Sequence, residues 1–342
     1  MGLIRRIAPS VFTALAFGLC SEHVFGAQEV RFLRQVGEFY ILPDVQLSVR
    51  DLREANGALY FLISARENAV LKNQIVVVDS DGKKKVRFDV SDGVTGFSVT
   101  PSLGVVTQSV VRGISRHRFD EYSASGRLLD SRESVDGFIT FWHDGDAITG
   151  YGLDRRLYVL RPASPRALVS SAPVLPAIFR VQKLPTVRSE TNLAAIVNAA
   201  SGNLQLLDTS TGEVRSLTIS SPELEAARLA SKADADRWKA MPATEKSNRD
   251  LATMSVVFAT AVDSRGEILL AIGAYRVAEG TPVIRVSQDG AITGRFRFDL
   301  FGGKQAIDPA STKPFAPLAM AFVNGKLFVT DGNGKVIVLS FH

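Results

Sequence analysis

A single cysteine in 342 residues, Cys20, excludes an internal disulfide framework and a thiolate metal cage. Histidine is nearly as scarce. Beyond His23 there are only His117, His143 and His342, none at ligand spacing to another, so the sequence offers no zinc motif. No apolar run reaches the ~20 residues that cross a bilayer. Also missing are a Gly-x-Ser-x-Gly elbow, a Gly-x-Gly-x-x-Gly turn before a helix, and a Walker loop; Gly302-Gly303-Lys304 is too short to be one. Trp (2) and Tyr (6) are few beside Phe (20), which argues against a stacked carbohydrate site and suits apolar packing between sheets. Basic runs are limited to Lys83-Lys84-Lys85 and Arg155-Arg156. With a net charge of only +5, they do not make a nucleic-acid surface.

What is present is ordinary for a folded protein: 46% hydrophobic and 22% charged residues, which rules out a disordered or collagen-like chain. The length suits two average domains or one long β architecture.

Residues 1–27 read as a secretory signal. Arg5 and Arg6 form its basic start, 7–19 its short apolar stretch, and Glu22 and His23 end that stretch early. A cut near Gly26–Ala27 would leave a cysteine-free mature chain with charge +4, located in the periplasm or secreted. The alternatives are an uncleaved anchor, or lipidation at Cys20. Leu19 disfavours the latter, because a lipobox wants a small residue there.

From 28 to 342 the chain repeats one sentence: a β-like run, a second run, a turn, a third run. Examples are 58–65 (ALYFLISA), 74–78 (QIVVV), Asp79-Ser80-Asp81-Gly82 and 83–90 (KKKVRFDV). The second strands of successive units start at Ala58, Val105, Ala147, Leu193, Glu267 and Lys326. Their intervals are 47, 42, 46, 74 and 59 residues, and the 74 shortens to 41 without the 33-residue segment 221–253. A period of roughly 40–50 residues with four strands per unit predicts β-propeller blades, six of them in one domain. The last unit has only three strands, so the run 29–36 (EVRFLRQV) is expected to supply its fourth and close the ring.

Val262-Asp263-Ser264-Arg265-Gly266-Glu267-Ile268-Leu269-Leu270 resembles the V-D-x-x-G-x-I-Y-V strand–turn–strand of NHL-like and TolB-like six-bladed propellers. Ala321-Phe322-Val323-Asn324-Gly325-Lys326-Leu327-Phe328-Val329-Thr330-Asp331 resembles the same blade. The likeness implies a fold and little about activity, since propellers host unrelated functions.

Segment 221–253 breaks the β pattern. Ser221 is the expected N-cap and Pro222 the first helical residue; Leu224, Ala227, Ala230 and Ala233 share a face. Pro242 ends this helix, and 244–251 reads as a short second one. Six basic and six acidic residues leave the segment neutral. Between blades 4 and 5, it falls on the face that also carries the other long connections, 171–177 and 301–317. That face is the expected working face. Trp238 is expected to pack the helix.

No catalytic, cofactor-binding or metal-binding residue is assigned. His143-Asp144 are neighbours on one strand and point to opposite faces; His117 reads as an exposed strand residue. Asp331-Gly332-Asn333-Gly334 reads as a hairpin turn and not a Ca²⁺ loop. The residues favour a non-enzymatic scaffold for a protein, peptide or polymer partner, with no nucleic acid and no membrane span in the mature chain. The alternative is a Ca²⁺-dependent hydrolase or lactonase in the central funnel. Its available side-chain types are Glu190, Asn192, Asn198, Asp263 and Asn324, and Ca²⁺ is implied only under that alternative.

Overall fold

A computed structural model describes residues 30–341 apart from 112, 114–115, 145–146, 162–165, 177–178, 184–192, 243–254, 274–280, 299–318 and 331–332. The segments 1–27, 244–251 and 301–317, with Glu190, Asn192 and His342, therefore lie outside the described residues or largely so.

The fold is a six-bladed β-propeller. Two N-terminal strands come first, β1 (Arg31–Phe32) and β2 (Arg34–Tyr40). Blade 1 is β3 (Leu47–Ala55), β4 (Ala58–Glu67), β5 (Val70–Asp79) and β6 (Lys84–Val90). Blade 2 is β7 (Val94–Val99), β8 (Val105–Val111), β9 (Arg116–Tyr122) and β10 (Leu128–Ser134). Blade 3 is β11 (Phe138–Asp144), β12 (Ala147–Gly152), β13 (Leu157–Leu160) and β14 (Ala167–Leu168). Blade 4 is β15 (Phe179–Lys183), β16 (Leu193–Asn198), β17 (Leu204–Asp208) and β18 (Val214–Leu217). The helix α1 (Pro222–Ala240) follows. Blade 5 is β19 (Val257–Val262), β20 (Ile268–Ile272), β21 (Thr281–Val286) and β22 (Ile292–Phe298). Blade 6 is β23 (Ala319–Val323), β24 (Lys326–Thr330) and β25 (Lys335–Ser340), with β2 as its outer strand.

The second strands begin where the repeat placed them, with a one-residue offset in blade 5. The ring closure differs in detail from the expected run 29–36. The strand that completes blade 6 is β2, antiparallel to β25 from Arg34↔Ser340 to Tyr40↔Lys335. Just before it, β1 adds a parallel fifth strand to the outer edge of blade 5, with Arg31↔Phe296 and Phe32↔Arg297. Leu33, buried between the two, joins the core shared by blades 5 and 6. The N-terminal segment thus covers two blade edges, because an unpaired edge at the seam would leave a row of free N–H and C=O groups.

Six separate apolar clusters fill the six contacts between neighbouring blades, including blade 6 against blade 1. Side chains alternate across a strand, so each central strand feeds two clusters. On β4, Leu59, Phe61 and Ile63 face blade 6, while Tyr60 and Leu62 face blade 2. Both faces are buried. The central strands therefore read as continuous apolar runs, without the alternation of a half-solvated sheet.

Polar links supplement these contacts. Gln108 on β8 reaches into blade 3: its Oε1 accepts from the Phe138 N–H (2.7 Å) and its Nε2 donates to the Phe138 carbonyl (2.9 Å). The buried Asp120 carboxylate on β9 accepts from Ser131 Oγ (2.6 Å), Arg118 Nε (3.2 Å) and Ser91 Oγ.

The D/S-x-x-G turn recurs as a structural device. Asp263 Oδ1 accepts from the N–H groups of Arg265 and Glu267, and Asp79 Oδ1 does the same for Asp81 and Lys83. In blade 2 the turn glycine, Gly126, has φ +83, and a Cβ there would lie 2.5 Å from the Phe88 ring on the outer strand of blade 1. Gly126→Ala is expected to cost roughly 2 kcal/mol through this overlap and the left-handed backbone. Gly113→Ala, at φ +84 with nothing within 4 Å, isolates the backbone part and should cost about half as much. Urea denaturation midpoints of the two variants check the difference.

Candidate functional site: the loop face and the mouth of the central channel

Strands alternate in direction within a blade. Second-to-third-strand turns and blade-to-blade connections therefore share one face, and α1 lies on it. Ser221 caps the helix through Leu224 N–H, Pro222 occupies its first turn, and it ends at Met241 before Pro242. Its inner side is part of the core: Leu224 and Ala227 are buried with Val197, Leu204, Val256 and Ile272 of blades 4 and 5. Gly202 sits under Leu224 and Gly273 under Ala227, so the helix rests on the turns of both blades. Arg228 Nε donates to the Ser201 carbonyl (2.6 Å). Glu223 pairs with Arg295 on β22. Trp238 is half-buried, and Leu229 is 69% exposed on the outer side.

Burial alone would raise the Glu223 pKa, but the bonds from Arg295 and Ser221 outweigh it and hold the carboxyl below its ordinary 4.5. A depressed folded-state pKa gives stability that is present above the unfolded value and lost as pH falls through the folded one. The stability gap between wild type and Glu223→Gln should thus be full at pH 7 and should shrink below pH 4.5. Paired urea titrations across that range check it.

Around the rest of the face, exposed apolar side chains follow the loops. The hairpin of blade 1 is long: β4 and β5 run together to Asn68-Ala69, both with positive φ, and present Val70 and Leu71. Val110, Val135 and Leu153 are exposed on blades 2 and 3.

At the axis, the inner strands of blades 1, 2, 3 and 5 each carry a β-bulge, at Arg50, Thr95, Ile139 and Phe258. A bulge leaves one residue unpaired and re-aims its side chain. Arg180 on β15 stands at the same level of blade 4, paired with Val197. Its guanidinium donates to the Phe258 carbonyl of blade 5 (3.0 Å). The side chain is solvent-accessible, yet protein surrounds it closely enough for lost hydration to lower its pKa, opposed by the charge of Asp51. Both facts fit a group that is hemmed in by neighbouring blades and still meets solvent. Blades 1 and 4 are opposite in a ring of six, so Arg180 and the Arg50–Asp51 bulge face each other across the axis.

Of the acidic and amide side chains weighed as a Ca²⁺ set, Glu190 and Asn192 lie outside the described residues and the other three are not brought together. Asn198, Asp263 and Asn324 sit in hairpin turns, with Asn198 Oδ1 taken by the N–H groups of Ala200 and Ser201. Among the described residues, no three His, Cys, Asp or Glu side chains gather as a metal site. His117 is half-buried against Gly137, not exposed, because Gly137 leaves room for the imidazole; burial lowers its pKa against the opposing charge of Asp136. His143 donates its backbone N–H to Ser98 Oγ (3.0 Å). Lys83, Lys84 and Lys85 are exposed at the start of the outer strand β6, and Arg155 and Arg156 are exposed in a turn. Among the described residues, no helix is long and apolar enough to cross a membrane.

No protein-family model and no curated protein matches the chain. Solved structures do. Virginiamycin B lyase from Staphylococcus aureus aligns with 90% of this chain and 99% of its own at 11% identity, with a TM-score of 0.46. BamB from Moraxella catarrhalis aligns with 90% and 100% at 10% identity and 0.41. Regucalcin, a calcium-binding protein from Agrobacterium tumefaciens, aligns with 91% and 95% at 13% identity and 0.48. At these values the likenesses say nothing of ligand or reaction.

Proposed function

We propose that this protein is an exported, non-enzymatic binding scaffold whose partner, a protein, peptide or polymer, docks on the loop face beside α1. The observation that carries this reading is the construction of α1. Its inner side is built into the core of blades 4 and 5, while Leu229, Lys232, Asp236 and Lys239 are left at the surface. A rigid scaffold presenting elaborated loops at one face is the usual arrangement for recognition. Export rests on the signal-like residues 1–27.

Because Leu224 is fully buried, deleting 221–253 would disturb the core as well as the surface. Changing Leu229, Lys232, Asp236 and Lys239 together to serine avoids that. The melting temperature should stay within a few degrees of wild type, while co-purification of the partner from native envelope extract is lost. Retained co-purification would sink the reading.

A further inference from the structure

Three features of the channel mouth concern charge. First, the Arg180 guanidinium has five N–H donors. One bond, to the Phe258 carbonyl, occupies it, and no described carboxylate lies within 4.0 Å. Second, the acidic group whose charge acts on it, Asp51, is already engaged. Asp51 accepts from its neighbour Leu52 N–H (2.9 Å) and from Arg53 (3.0 Å) on its own strand. Third, the β3 bulge turns Arg50 out beside Asp51, exposed and with no ion pair among the described residues. At the β3 bulge and Arg180, three arginines (Arg50, Arg53 and Arg180) stand with one carboxylate, Asp51. A guanidinium with one described hydrogen bond and no described carboxylate in contact is a ready partner for a forked anion.

We propose that the mouth of the central channel is an anion site, in which Arg180 and Arg50 bind a carboxylate or phosphate group of the ligand. This deepens the scaffold reading and rests on it: the loop face and α1 supply the area of contact, and the channel arginines fix one charged group of the partner at the axis. Arg180 makes the inner contact, because it is anchored by Phe258; Arg50, across the axis, closes over the ion.

The test needs no knowledge of the partner. Protein labelled with ¹⁵N-arginine is titrated separately with acetate and with inorganic phosphate while the Arg180 and Arg50 Nε resonances are followed. A saturable shift with at least one ion is expected, weakened at least threefold in Arg50→Gln, read at Arg180, and at least tenfold in Arg180→Gln, read at Arg50. Saturation by acetate alone identifies a carboxylate ligand, and by phosphate alone a phosphate ligand. No saturable shift with either ion, or the same saturation in Arg180→Gln, overturns the proposal. If Arg180→Gln fails to fold, the surface change Arg50→Gln decides. The result is separable from the scaffold reading, which stands if partner binding at α1 persists without an anion response.

Discussion

Deleting residues 30–40 should destabilise the protein by more than about 4 kcal/mol, a large share of the ~5–15 kcal/mol typical of a folded protein. The sum is built from few parts. Leu33 is 6% exposed, and its burial is worth ~2 kcal/mol. The ladder from Arg34↔Ser340 to Tyr40↔Lys335 adds backbone bonds worth ~1 kcal/mol each. Phe39 contributes a tilted contact with Phe328 at 6.5 Å between ring centres. The loss is also qualitative, because β25 and β22 both become open edges prone to pairing with other chains. Urea denaturation and light scattering should show a large drop in midpoint together with self-association. A synthetic peptide of residues 30–40 should restore part of both. A truncated protein that stays monomeric with an unchanged midpoint would mean that the ring does not depend on this clasp.

Phe119→Ala should cost about 4 kcal/mol. Phe119 is 1% exposed at the contact between blades 2 and 3, where its ring meets Phe138 and Phe141 edge-on at 6.0 and 6.1 Å. Edge-to-face pairs add to the area term, and the cavity left behind would open beneath the Gln108 link to Phe138. That link fixes the blade 3 backbone, so the site has little freedom to collapse, which favours the upper part of the usual range. Equilibrium unfolding measures it. A loss below about 1 kcal/mol would mean that these blades are not packed as described.

The abundance of Phe over Tyr and Trp was legible as packing between blades for this reason: a propeller buries both faces of its central strands. The period was legible too, since apolar runs and turn residues recur at a regular spacing, with the same turn bond at Asp79–Gly82, Ser123–Gly126 and Asp263–Gly266. So were Ser221 and Pro222, whose roles are local to the helix start.

What escaped the sequence depends on distant partners. The closing strand runs from Arg34 to Tyr40, not 29–36, because its register is set by β25 and by an irregularity between Gln35 and Gly37. The extension of the blade 1 hairpin to Glu67 and Val70 was hidden because Asn68-Ala69 lacks the glycine that marks most such turns. Gln108 and Asp120 carry no sequence signal; their burial appears only when neighbouring chain segments close over them. Arg180 carried no motif. Its place at the axis follows from the ring, and the bulges that surround it leave no signature in residue types.

The central claim is that partners are met on the loop face. Site-specific photo-crosslinking in the native cell tests it most directly. A photoreactive residue at Leu71 on the blade 1 hairpin, or at Leu229 on α1, should yield a discrete adduct. The same residue at Asp81 or Arg265, exposed in turns at the opposite strand ends, should yield none. Adducts from Asp81 and Arg265 equal to those from Leu71 and Leu229, or none from the loop face, would contradict the account.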